Sequence, residues 1–269
     1  MNRLNSSRTA RRGLVALVFA LVLVMVAPAS AIKNGDLDGD DHPYVGLMVA
    51  HNEEGPLWRC SGTLISPTVF LTAGHCTEAP ATSAQIWFDA DVESGIPANG
   101  YPFVGDVGGE TFTHPEYDPA AFFVRDVGVV VLDEPVIMDE YGVLPELDQL
   151  DVMKTRRGRQ DVTFTAVGYG LQYINPKFVE AERVRMVSHP KLNQINTPGF
   201  TGDFSLLLSN NHSTGGTCFG DSGGPNFLND TNVVAGVTSF GLNGNCAGTG
   251  GVFRMDRSWS LDWVNSFLD

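Results

Sequence analysis

Basic side chains are scarce in this chain: 17 Lys and Arg stand against 31 Asp and Glu, a formal charge of −14. A surface of that sign repels nucleic acid and anionic lipid and favours solubility, so neither polyanion is an expected partner. Cysteine is sparse too, with four in 269 residues. No CxxC pair and no HxxxH spacing occurs, and those are the frameworks on which zinc sites are commonly built. No metal and no cofactor is expected. After the N-terminus no apolar run reaches the ~20 residues a membrane-spanning helix needs. Internal repeats and low-complexity tracts are also missing.

The single long apolar run comes first. Arg3, Arg8, Arg11 and Arg12 make a basic start, Leu14 to Ala27 an apolar stretch, and Ala29-Ser30-Ala31 supplies small residues. This is the three-part pattern of a secretory signal peptide. Residues 1–31 are therefore expected to be removed, and the product to be secreted without a membrane anchor. Removal takes away four arginines and no acid, leaving 13 basic and 31 acidic side chains, a charge of −18 across residues 32–269. Four cysteines in an exported chain suggest two disulfides, whose three possible connectivities spacing does not separate.

Residues 32–269 suit one all-β unit of two packed barrels, or two small domains. Short apolar or β-branched runs recur between Gly, Pro, Asn and Asp: Tyr44–Ala50, Thr63–Ile65, Val69–Thr72, Gln85–Phe88, Val127–Leu132, Val162–Val167 and Val233–Phe240. Such spacing predicts an all-β sandwich or barrel. Trp259, Trp263, Val264, Phe267 and Leu268 fall at helical intervals and predict a short C-terminal helix. Asp133–Arg159 lacks period and is expected to connect two halves, with the boundary near 140–160. The segments 199–215 and 242–250 read as loops. Asp36, Asp38, Asp40 and Asp41 read as solvated acidic turns.

Chemistry concentrates in Gly220-Asp221-Ser222-Gly223-Gly224-Pro225. A serine hydroxyl is a weak nucleophile unless a base takes its proton and donors stabilise the resulting oxyanion. Glycines on both sides permit a tight turn that exposes the hydroxyl and aims backbone N–H groups at one point. The string also fits G-x-S-x-G, the nucleophile elbow of α/β-hydrolases, whose histidine follows the serine in the chain. Here the last histidine, His212, precedes Ser222, so that fold is rejected.

Of six histidines, His42, His51, His114, His189 and His212 lie among polar or Pro-containing segments and read as exposed loop residues. His75 ends the apolar run Phe70-Leu71-Thr72-Ala73-Gly74 and precedes Cys76, a setting that favours a rigidly held base. The base needs an orienting carboxylate. Asp126 directly precedes the buried-strand pattern Val127-Gly128-Val129-Val130-Val131-Leu132, where a desolvated acid requires a partner. On spacing alone, pairing with Arg125 is an equal alternative.

With these residues in hand, the chain resembles the chymotrypsin-like, trypsin-fold serine proteases. The order His75, Asp126, Ser222 is theirs. Thr72-Ala73-Gly74-His75-Cys76 looks like their histidine motif, with Gly74 where alanine is usual. Arg125-Asp126-Val127-Gly128 looks like their aspartate motif, with Gly128 in place of alanine. His114-Pro115-Glu116-Tyr117-Asp118, Gly168-Tyr169-Gly170 and Thr238-Ser239-Phe240-Gly241 match as well.

The resemblance implies two packed six-stranded antiparallel β-barrels and a monomeric endopeptidase acting on proteins or peptides. It implies His75, Asp126 and Ser222 as the catalytic set, and the N–H groups of Gly220 and Ser222 as the oxyanion hole. It pairs Cys60 with Cys76 and Cys218 with Cys246. It casts Ile32, freed as a new N-terminus, as the partner of Asp221, and Ser239 to Gly241 as a strand-pairing edge for substrate. Relatives that cut after Lys or Arg carry an Asp where this chain has Gly216. Gly241 and Gly251 match open pocket walls, and Thr217 lies at the rim. An uncharged, open pocket implies large apolar or aromatic residues before the scissile bond. The competing class is a catalytically dead homologue that only binds.

Overall fold

A computed structural model describes residues 31–153, 161–175 and 178–268. The expected signal peptide, apart from Ala31, lies outside the described residues. After a short arm β1 (Asp36–Leu37), the first half runs β2 (Val45–Asn52), β3 (Gly55–Ser66) and β4 (Val69–Thr72). A one-turn helix α1 (Gly74–Thr77) follows, then β5 (Ser83–Trp87), a second turn α2 (Val92–Gly95), β6 (Val107–Thr113) and β7 (Gly128–Leu132). These close as an antiparallel barrel in the order β2-β3-β4-β7-β6-β5. Every residue of β4 is buried, because it lies between β3 and β7.

The second half contains β8 (Phe164–Gly168), the hairpin strands β9 (Tyr173–Asn175) and β10 (Phe178–Glu180), β11 (Met186–Ser188), β12 (Leu192–Thr197), β13 (Gly202–Asn210), β14 (Pro225–Leu228), β15 (Val234–Gly241) and β16 (Gly248–Arg254). Instead of closing with six strands, it is a curled sheet of eight in the order β1-β11-β8-β14-β15-β16-β13-β12. The eighth strand comes from the first half, since Asp36 and Leu37 pair with Val187 and Met186. The segments read as loops hold β13, which opens on the polar Gly202 and Asp203, and the start of β16, where Gly248, Gly250 and Gly251 hide the strand pattern.

One continuous core joins the halves, with Val45, Phe70, Leu71 and Val129 from the barrel and Phe227, Val237 and Phe253 from the sheet. Each fully buried side chain of this kind contributes about 1.5–3 kcal/mol. The helix α3 (Ser258–Asn265) closes the chain. Its Val264 is buried, and Trp259, Trp263 and Phe267 cover the core's edge. Asp38, read as a solvated acid, is instead buried and paired with buried Arg185 at 3.0 Å. Arg185 also donates to the Val45 and Phe88 carbonyls, so this ion pair ties the N-terminal arm to both halves. No helix among the described residues is long and apolar enough to cross a membrane.

Candidate active site

Ser222 sits in a turn between Cys218 and Gly224 at the seam of the halves. Asp221 N–H donates to the Cys218 carbonyl at 3.1 Å and Gly224 N–H to the Asp221 carbonyl at 2.8 Å, which folds the chain back on itself. Gly223 has φ +78°, and a β-carbon there would run into Thr72 Oγ1. From the other half, Ser61 on β3 holds the turn twice. Its N–H donates to the Ser222 carbonyl at 2.8 Å, and its hydroxyl to the Gly220 carbonyl at 2.9 Å. With both carbonyls turned away, the N–H groups of Gly220 and Ser222 have no protein acceptor among the described residues.

His75 is placed by α1. Its backbone N–H donates to Asp126 Oδ1 at 2.9 Å, and its Nδ1 lies 3.0 Å from Asp126 Oδ2. This double attachment fixes the ring's direction and leaves Nε2 for the cleft. Arg125, the alternative partner of Asp126, turns away. It pairs with Glu116 at 2.8 Å and stacks over the Trp259 ring. Gly74 and Gly128 share one cause: a β-carbon on Gly74 would crowd Val127 N and Tyr117, and one on Gly128 would collide with Thr77 Oγ1 and the Ala73 carbonyl. The backbone carrying His75 is thus drawn against β7.

Burial works against a charge on His75, but the carboxylate of Asp126, by charge and by hydrogen bond, outweighs it and raises the pKa above the ordinary imidazole value. A third donor completes Asp126: the Ser239 hydroxyl, at 2.5 Å. The β15–β16 register shifts between Thr238 and Phe240, and such a bulge re-aims the extra residue's side chain. Ser239 was expected only as a pairing edge, and its bond to Asp126 has no signal in the sequence. His114, expected to be exposed, is buried and lies 3.3 Å from the Trp259 carbonyl.

A cleft of about 320 Å³ brings together His75, Ser222, Thr217, Ser239 and Gly241. The disulfides Cys60–Cys76 and Cys218–Cys246 brace the His75 helix and the cleft wall. The candidate wall residue Gly251 and the candidate pocket residue Gly216 are not among the residues lining it. Gly251 lies beneath the Phe240 ring, which occupies the site of its missing side chain. The neighbouring Gly250 is the one facing Thr217, whose Oγ1 is 3.3 Å from a β-carbon placed there. The bulge at Ser239 accounts for this one-residue offset. Gly216 is covered by Asn210. Among the described residues, the one His/Cys grouping close enough to hold a metal is Cys60, His75 and Cys76, and its two sulfurs are bonded to each other.

The trypsin family's sequence profile matches residues 38–263. The chain belongs to the trypsin family of serine proteases. A chymotrypsin of Phaedon cochleariae is 28% identical, over 90% of this chain and 83% of the relative. A trypsin of Saccharopolyspora erythraea is also 28% identical, over 77% of this chain and 84% of the relative. Among solved structures, HL collagenase superposes with a TM-score of 0.64 at 21% identity, covering 87% of this chain and 97% of that one. This last likeness bears on the fold alone.

For a trypsin-family chain the N-terminal arm has particular interest. Ile32 is fully buried beside Met186. Asp221 is fully buried as well and accepts from the N–H groups of Gly170 and Cys218 at 2.7 and 2.8 Å. Desolvation pushes its pKa from 3.8 up to about 7, against the opposing pull of those two bonds and of Arg59.

Proposed function

We propose that this serine protease is a secreted, monomeric endopeptidase: residues 1–31 are the signal peptide, and 32–269 the peptidase domain, with its halves meeting near 140–160. The carrying observation is the cleft lined by both His75 and Ser222, with Asp126 bonded to the His75 ring. Ser222 Oγ attacks the substrate carbonyl while His75 Nε2 takes its proton. Asp126 keeps the imidazole in the required tautomer and stabilises the imidazolium. The negative oxygen that forms is met by the free N–H groups of Gly220 and Ser222, and losing one such donor typically costs about 3–4 kcal/mol in the transition state. His75 then protonates the leaving amine, and water repeats the sequence on the acyl-enzyme.

Ile32, once freed, supplies the ammonium group that Asp221 lacks in the continuous chain. The substrate strand lies along Ser239–Gly241, and its side chain before the scissile bond enters the pocket past Thr217 and Gly250. Among the described residues no Asp, Glu, Lys or Arg lines the cleft, which supports large apolar or aromatic residues there over Lys and Arg. Peptide amides varied only at that residue test the preference, and faster cleavage after Arg overturns it. Ser222→Ala tests the reaction itself: the expected loss is ~10⁴-fold or more, together with loss of labelling by a serine-reactive fluorophosphonate. Retained turnover would reject Ser222 as the nucleophile.

A further inference from the structure

Asn210, the last residue of β13, is nearly fully buried, and nothing in the sequence links it to the cleft. Its side chain occupies the place a Gly216 side chain would take, with Oδ1 2.6 Å from a β-carbon placed there. Nδ2 donates to the Thr217 carbonyl at 2.7 Å. A carbonyl can only accept, so the amide is fixed with its nitrogen toward Thr217 and its oxygen facing away. That oxygen is buried and has no partner among the described residues. A buried acceptor left unpaired is disfavoured, so the site gains when a donor arrives. The arrangement repeats on the next wall, where buried Asn226 donates to cleft-lining Thr238 at 3.0 Å and also leaves its Oδ1 unpaired.

We propose that Asn210 is the floor of the specificity pocket, supplying from β13 the polar group that Gly216 lacks, and that it selects a side chain ending in a neutral hydrogen-bond donor. Tyrosine is favoured over phenylalanine, because its ring meets the apolar walls and its hydroxyl reaches the amide oxygen. The proposal rests on the protease reading and sharpens its aromatic preference. A pocket built to bond a donor discriminates against the analogue without one.

The test uses peptide amides that differ only at the residue before the scissile bond, in two shape-matched pairs, Tyr against Phe and Gln against Met. The wild-type enzyme is expected to favour the donor of each pair by about tenfold in kcat/KM, the worth of one net neutral hydrogen bond. Asn210→Ala should bring both ratios near one. Combining Gly216→Ser with Asn210→Gly, which also removes the Asn210 Cβ lying 2.7 Å from that β-carbon position, should restore part of the preference. Ratios near one in the wild type, or unchanged ratios in Asn210→Ala, overturn the proposal. If Asn210→Ala does not fold, competitive inhibition of the wild type by p-cresol and toluene decides: tighter p-cresol supports the floor amide, and equal inhibition overturns it. If neither aromatic is cleaved, the aromatic preference falls, and the Gln–Met ratio alone decides the role of Asn210.

Discussion

Asp126 and Asp221 lie on either side of the proposed nucleophile, Ser222, and both are wholly buried, yet they are housed in opposite ways. Asp126 stands at the mouth of β7 and faces an imidazole able to carry positive charge, with a backbone N–H and the Ser239 hydroxyl filling its remaining directions. Asp221 meets only the neutral N–H groups of Gly170 and Cys218, and its pKa climbs to about 7 because burial opposes its charge. The barrel side of the site is complete as the chain stands. Among the described residues, the sheet side has a carboxylate without a contacting cation, two N–H groups without an acceptor and, in Asn210, a buried amide with an unpaired oxygen. Groups that act on one another are saturated, and groups that wait for something from outside are left open.

The largest test breaks the saturated side. Asp126→Asn keeps the shape but puts an amide against His75, which reverses the tautomer, and kcat/KM is expected to fall by ~10⁴-fold. The pH profile carries the same information. His75 must be neutral to take a proton, and Asp126 raises its pKa, so wild-type activity should be lost as pH falls through a value above the ordinary ~6.5. In residual Asp126→Asn turnover that limb should move to lower pH. A limb that stays in place would remove Asp126 as the cause of the shift.

The next effect concerns the open side and is one of stability. In a form retaining Ser30-Ala31, Asp221 holds its proton to about pH 7, whereas an unfolded aspartate releases it near 3.8. Between these values the folded state binds the extra proton, so stability falls as pH rises, by about 4 kcal/mol at ~1.4 kcal/mol per unit. In a domain of this size that is roughly 10 °C in Tm. In a form beginning at Ile32, the amine's pKa is raised above its free value of ~8 by pairing with Asp221. That stabilisation is present in full below ~8 and disappears as pH climbs through the raised value. Melting curves of the two forms from pH 4 to 10 should therefore diverge; parallel curves would show that Ile32 does not reach Asp221.

The same contrast marks what the sequence could reveal. The grouping of Ser222, His75 and Asp126 was legible because the chemistry proposed for them needs a particular residue type in a particular local setting: a glycine turn, a strand end before cysteine, the mouth of an apolar strand. Most barrel strands were legible from their apolar runs. Val107–Thr113 was not, because two adjacent glycines and a glutamate interrupt it. Asn210 and Gly250 became visible only once β13, β15 and β16 were in register, since a one-residue bulge exchanges the roles of Gly250 and Gly251. The Ser239 hydroxyl depends on the same bulge and on a residue 113 positions away. Packing across the seam leaves no local pattern.

Ser239 gives the smallest effect and the finest probe of saturation. Its hydroxyl supplies one of the donors to a buried carboxylate, and hydrogen bonds to charged groups contribute about 1.5–3 kcal/mol. Ser239→Ala removes that donor, while Asp126 keeps both bonds from His75. The cleft is otherwise retained, and the backbone of Ser239 remains available to pair with substrate. A fall in kcat of about tenfold is expected with KM little changed, because the lost bond steadies the carboxylate that must stabilise the imidazolium. Ser239→Thr, which keeps the hydroxyl, should recover most of the rate. If Ser239→Ala instead raises KM alone, Ser239 acts through the substrate strand, and Asp126 is already held by His75 without it.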